Sequence, residues 1–171
     1  MSSLFFVLSS LFCLSFQSAI KEGCKNELEN LINEERNSQG LPSLTCDQGM
    51  RYVAYQHAIN QVDNNFQAGG GCNLHSWAGD RQCCFTSDFS NSECMWRKPN
   101  EIYGDKRRGY EISAGGSGSM TAQQAIAQWK GSSGHNAVMM TQGGWSKLTH
   151  FGCFWRGGFA HCWFTNDQEW Y

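Results

Sequence analysis

Leu148-Thr-His-Phe-Gly-Cys-Phe-Trp-Arg-Gly-Gly-Phe-Ala-His-Cys-Trp-Phe164 is the stretch from which the fold can be worked out. Two aromatic-rich runs flank Gly157-Gly158, and paired glycines suit the positive φ angles of a two-residue hairpin turn. With these glycines as the turn, Arg156 faces Phe159, and counting outward places Cys153 opposite Cys162. The two cysteines then fall at a non-hydrogen-bonded position, where Cα atoms lie about 4.5 Å apart and a disulfide can close. A Cys153–Cys162 bridge is expected, with His161 opposite Phe154 and packed on a sheet face.

Upstream of the hairpin the periodicity changes from strand to helix. Cys24, Leu28, Leu31, Ile32 and Glu35 form one stripe at helical spacing, and Gly40 and Pro42 end it, so a helix is expected over 23–38. Asp47 can cap a second helix, ending near Val62, whose inner face carries Met50, Val53, Ala54, His57, Ala58 and Gln61. Thr121 with Gln124 forms a capping-box signal for a third helix, from Ala122 to Lys130, and Gly134-His135 opens a short fourth. Between Asp63 and Gly118 no long apolar period appears. That region is read as loop held by disulfides, with short strands and a flexible Gly115-Gly-Ser-Gly118. Helices beside a small antiparallel sheet make the fold class α+β.

The chain has 171 residues, enough for one domain of ordinary size. Met1 to Phe16 carries no charged side chain and is followed by Gln17-Ser18-Ala19, which reads as a secretory signal over 1–19 ahead of a single domain over 20–171. That run is shorter than the roughly 20 apolar residues that cross a bilayer, so no membrane span is expected. Cys13 lies in the signal, which leaves eight of the nine cysteines, an even number suited to four disulfides in an oxidising, extracellular compartment. Eight cysteines allow 105 pairings, and composition does not choose among them. No cysteine pair has the two-residue spacing of a zinc knuckle, which argues against a zinc–thiolate centre. The net charge of -2, without a basic stripe, argues against nucleic acid as a partner.

Three short motifs carry candidate chemistry: Asn73-Leu-His75-Ser-Trp77, Gly109-Tyr-Glu111-Ile112, and Trp129-Lys-Gly-Ser-Ser-Gly-His135-Asn-Ala-Val-Met-Met140. Two imidazoles and a carboxylate suffice to hold a zinc ion with an open position, although nothing in the spacing demands it. His57, on the inner stripe of the second helix, reads as a core or boundary histidine. Ser76, Ser132 and Ser133 lie near the histidines, but no Gly-x-Ser-x-Gly elbow accompanies them. Arg97, Lys98, Lys106, Arg107 and Arg108, interrupted by Glu101 and Asp105, read as a solvated loop face.

In order along the chain, Leu31-Ile-Asn-Glu-Glu-Arg36, Gly40-Leu-Pro-Ser-Leu44, Met50 to Ala58, Leu74-His-Ser76, Gly109 to Ile112 and Trp129 to Met140 resemble the CAP superfamily. That superfamily comprises the cysteine-rich secretory proteins, venom allergens and plant pathogenesis-related proteins, and the resemblance runs from residue 26 to residue 164. It implies a three-layer α-β-α sandwich with a central cleft lined by two histidines and two acids. The histidines there can hold zinc or another divalent cation. His75 and His135 match the histidine positions, and Glu111 matches the first acid with a shift of one place. Ser132 stands where the second acid usually lies, while Gln128 beside Trp129 could approach the cleft but cannot act as a base.

The resemblance implies a secreted, non-enzymatic effector or defence-type protein binding an extracellular protein or a lipid or sterol. Phe85, Phe89, Met95 and Trp96 are candidates for a lipid groove, or equally for disulfide-stapled core. The alternative is a metal-dependent hydrolase using His75, His135 and Glu111, with Glu111 as the only visible general base. A plain structural component of a matrix or secretion is the third possibility.

Overall fold

The computed structural model describes residues 24–116 and 118–168; the expected signal over 1–19 lies outside the described residues. Helix α1, Glu27–Ser38, starts later than the apolar stripe alone implies because Asn26 is its N-cap, its side chain accepting from the Glu29 amide. Cys24 stands outside the helix and is bonded to Cys46. Strand β1, Thr45–Cys46, leads into α2, Gln48–Asp63, which Asp47 caps by accepting from the Met50 amide.

The stretch read as loop contains two short helices, α3 at Ser92–Trp96 and α4 at Lys98–Tyr103. Pro99 sits in the first turn of α4, and Gly104 ends it at a left-handed φ of 75°. The basic cluster there is not uniformly solvated. Lys98 is 2 % exposed, donating to the Arg81 carbonyl and to Glu101, and Arg107 is paired with Asp47 and Asp105. Each of these two cations has acceptors within reach, so burial leaves neither charge alone.

Strand β2, Tyr110–Gly115, takes in the first glycine of the segment expected to be flexible. Helix α5, Ala122–Gly131, opens with the capping box of Thr121 and Gln124, and α6, Ser133–Met139, is capped by Ser132. Strands β3, His150–Arg156, and β4, Phe159–Thr165, form the hairpin, with Arg156 opposite Phe159, Phe154 opposite His161 and Cys153 opposite Cys162.

The sheet runs in the order β1-β3-β4-β2. All of it is antiparallel except β1 against β3, where Thr45 pairs with His150 in parallel. More than a hundred residues separate β1 from β3, ample for the crossover that a parallel pair needs. Alternation along the strands divides the core in two. Ile112, Ala114, Phe151, Cys153, Ala160 and Cys162 face α1, α5 and α6, while Trp163 faces α2 with Met50, Val53 and Ala54. The result is helices on both faces of one sheet, a three-layer α-β-α arrangement. Helix α2 lies so close to β3 that a Cβ on Gly152 would fall 2.1 Å from the Arg51 nitrogen, so glycine is required there.

Four disulfides staple these layers: Cys24–Cys46, Cys72–Cys84, Cys83–Cys94 and Cys153–Cys162. The last closes a loop of sequence separation 9, for which loss of chain entropy in the unfolded state gives about 2–3 kcal/mol. Cys153→Ala is therefore expected to lower the urea midpoint by that equivalent. A midpoint unchanged from wild type would show that the hairpin does not depend on its bridge.

Candidate functional site

The second face of the sheet is polar where β2 and β4 meet α2. Glu111 and Ser113 alternate on β2, His161 lies directly opposite Ser113 on β4, and His57 and Gln61, four residues apart, project from one face of α2. His57, Gln61 and His161 are fully buried, and Glu111 is 6 % exposed. Glu111 is the hub. Its Oε1 accepts from His57 Nδ1 at 2.5 Å and lies 3.0 Å from His161 Nδ1, and its Oε2 accepts from His75 Nδ1 at 2.9 Å.

The surrounding partners fix the proton positions. The Gln61 amide nitrogen donates to the carbonyls of Leu74 (2.8 Å) and Ser76 (3.1 Å), so its oxygen is left to accept from His161 Nε2 at 3.2 Å. His161 Nδ1 then receives the Ser113 hydroxyl at 3.1 Å. Burial first, and then the neighbouring His57, push His161 down to about 4, which agrees with this neutral, singly protonated ring. Burial alone would favour a neutral Glu111. The charge of His57 and its hydrogen bond overcome it and hold the carboxyl well below the usual carboxylate range.

His75 reaches this hub from the loop that Cys72–Cys84 and Cys83–Cys94 staple, and the Asn73 side chain accepts from its amide at 3.0 Å. His135 comes from the first turn of α6. The two rings, 60 residues apart in sequence, sit edge to face with centroids 5.6 Å apart. Burial and the proximity of His75 lower the His135 pKa against the pull of Glu111, so the ring is neutral at neutral pH.

Above these rings opens a cleft of about 320 Å³. Its floor is His75, Glu111 and His135, and its walls include Phe85, Phe89, Met95, Trp96, Tyr110 and Trp145. The four residues named from sequence as groove or core all line it. Phe85 and Met95 are also core residues at 4 % exposure, while Phe89 is 63 % exposed. Gln128 instead lines a separate cavity with Met120 and Gln124. Ser132, in the place of a second acid, is the N-cap of α6, its side chain accepting from the His135 amide. Ser76 is buried and its hydroxyl is bonded to the backbone of Phe85, so it is no nucleophile.

Two donor sets are available to a metal. Ligand atoms of His57, Glu111 and His161 lie within 4.8 Å of one another and could hold an ion. His75 and His135 form the other set. His75 Nδ1 is engaged by Glu111, so Nε2 is the nitrogen left for the cleft. A separation of 5.6 Å between ring centres leaves room for two metal–nitrogen bonds of about 2 Å plus the ring radii. Sequence reading missed His57, Gln61, Ser113 and His161 as members of the site. Its one available signal was that His57 and Gln61 are polar residues on an otherwise apolar stripe.

Among the described residues no helix is long and apolar enough to cross a membrane. A sequence comparison with curated proteins gives no match. Among solved structures the chain is similar to an extracellular protein containing an SCP domain from Bacillus anthracis, with 19% identity, TM-score 0.55, and coverage of 82% of this chain and 39% of that one. A cysteine-rich secretory protein from Staphylococcus aureus gives 13% identity and TM-score 0.54, with 82% and 37% covered. An outer surface protein from Borrelia burgdorferi gives 16% identity and TM-score 0.56, with 85% and 98% covered. The chain thus spans less than half the length of the first two. At these identities the likeness establishes the fold. The model of the cysteine-rich secretory protein family, CAP, matches residues 29–164, most of the sequence from within α1 to within β4, and the chain belongs to that family.

Proposed function

We propose that this CAP-domain chain is a secreted, non-enzymatic binding protein of effector or defence type. Its central cleft takes a divalent cation, zinc or another, on His75 and His135, and its aromatic walls receive the apolar part of an extracellular protein, lipid or sterol. The observation that carries this reading is the facing pair of imidazoles at the floor of an apolar-walled cleft. Both rings suit a borderline metal: His135 is kept neutral by its surroundings, and His75 has its outer nitrogen toward the cleft. A bound cation supplies positive charge at the cleft floor, where a ligand's polar head would lie, and the protein orients the two rings.

Four disulfides and the extracellular or surface character of two of the similar structures support secretion. Binding is favoured over metal-assisted hydrolysis because the one acid is committed. Both Glu111 oxygens accept from histidines and its side chain is fully buried, so it presents no solvent-accessible oxygen to activate a water. No second acid stands at residue 132 to replace it.

The test is calorimetric titration of zinc into the wild type and into a His75→Ala, His135→Ala double variant. One zinc per chain is expected for the wild type, with no comparable binding by the variant. Equal binding by the two proteins would refute the cleft site.

A further inference from the structure

We propose that His57 and Glu111 form a buried ion pair that acts as a positioning device, holding His75 in the tautomer that carries its proton on Nδ1 and turns the Nε2 lone pair into the cleft. The proton assignment stands on hydrogen-bond partners alone. The cation-binding consequence rests on the function proposed above.

His57 has an acceptor at each ring nitrogen: Glu111 Oε1 at 2.5 Å from Nδ1 and the Ser76 carbonyl at 2.9 Å from Nε2; the Gln61 amide nitrogen, 3.2 Å from Nε2, spends its two hydrogens on the Leu74 and Ser76 carbonyls at 2.8 and 3.1 Å and has none left for His57. A carbonyl oxygen can only accept, so both nitrogens carry hydrogen and the ring is an imidazolium. Its faces are covered by Trp77, nearly parallel at 5° with centroids 4.1 Å apart, and by His161 at 4.0 Å. An indole face beside a desolvated cation is a favourable electrostatic contact. The carboxylate opposite it is acceptor-only, and its second oxygen lies 2.9 Å from His75 Nδ1. The proton of a neutral His75 is therefore drawn to Nδ1, against the ordinary preference of histidine for the Nε2–H form.

A fully buried ion pair is a poor way to gain stability, since an apolar pair of similar volume commonly does as well. What this pair adds is direction. It fixes one proton on a ring whose other nitrogen lines the cleft, the arrangement by which a carboxylate orients a metal-binding histidine and raises its basicity. Replacing the pair by apolar residues should therefore separate folding from positioning.

The experiment compares wild type with a His57→Phe, Glu111→Leu double variant. Long-range ¹H–¹⁵N correlation spectra of the metal-free proteins report the His75 tautomer, and titration with zinc alone reports affinity. The wild type is expected to show the Nδ1–H form. The double variant is expected to fold, to shift His75 toward the Nε2–H form, and to bind zinc 10- to 100-fold more weakly. If that variant does not fold, Glu111→Gln gives the same readouts, because its single amide oxygen cannot face both His57 and His75.

An Nε2–H tautomer in the wild type, or an unchanged tautomer and zinc affinity in the double variant, would overturn the proposal and leave the network a packing feature. Zinc binding that survives loss of His75 and His135 but not loss of His57 and Glu111 would put the ion on the inner group and overturn it as well. An Nδ1–H wild type that binds no zinc would uphold the positioning pair while refuting the cation site.

Discussion

His57→Phe alone is expected to cost about 3–5 kcal/mol, because it removes one member of a buried ion pair and leaves the other charged and unpaired. The Phe ring fits between Trp77 and His161, where the imidazole is stacked, so lost packing volume is not the dominant effect. The damage is electrostatic. Glu111, with a side chain fully shielded from water, would keep the hydrogen bond from His75 but lose its shortest partner at 2.5 Å. The Ser76 carbonyl would also lose a donor, although Gln61 still reaches it at 3.1 Å. Chemical denaturation of the single and double variants gives the answer: the His57→Phe, Glu111→Leu protein is expected to recover most of the loss, since both charges then go together. Equal destabilisation of the two would mean that packing around His57, not charge, sets the cost.

Acid should unfold the protein through the same cluster. His161 titrates at about 4 in the folded chain against an ordinary 6.5, so the fold favours its neutral form. As pH falls below 6.5 the unfolded chain takes up this proton first. Stability is thus complete above pH 6.5 and is lost progressively down to about pH 4, a total of about 3 kcal/mol for this fully buried group. His135, also lowered, contributes with the same sign. Glu111 acts in a lower window: its folded-state pKa lies well below 4.5, so its contribution is present above pH 4.5 and is lost as pH falls through the folded value. Unfolding midpoints measured from pH 7 to pH 3 should fall steeply between 6.5 and 4. His161→Gln should flatten that portion of the curve, and an unchanged slope would remove His161 as its cause.

Much of the architecture was legible because local rules set it. Gly157-Gly158 dictates the hairpin register and so the meeting of Cys153 with Cys162, and Asp47 and the Thr121–Gln124 box mark helix starts by satisfying free amides. The short helices α3 and α4 were not legible. Each is too short to show a period, and they are held by tertiary contacts such as Lys98 on the Arg81 carbonyl. The basic cluster failed as a solvated face for a related reason: sequence spacing cannot show that Asp47, 60 residues away, supplies the partner for Arg107.

The site divides along the same line. His75, Glu111 and His135 stand out in the sequence because each lies in a short, distinctive motif. The amino-acid sequence by itself determined the family, the boundaries of the helices other than α3 and α4 to within a few residues, the hairpin disulfide and these three candidates, all of which depend on residue type at short range. Only the tertiary structure decided what Glu111 does. Its partners His57 and His161 come from a helix and a strand 54 and 50 residues distant, brought together by the packing of α2 on the β2–β4 face. Hydrogen-bond geometry at that crossing, and the full burial of its side chain, turn an apparent general base into a buried anion that orients His75.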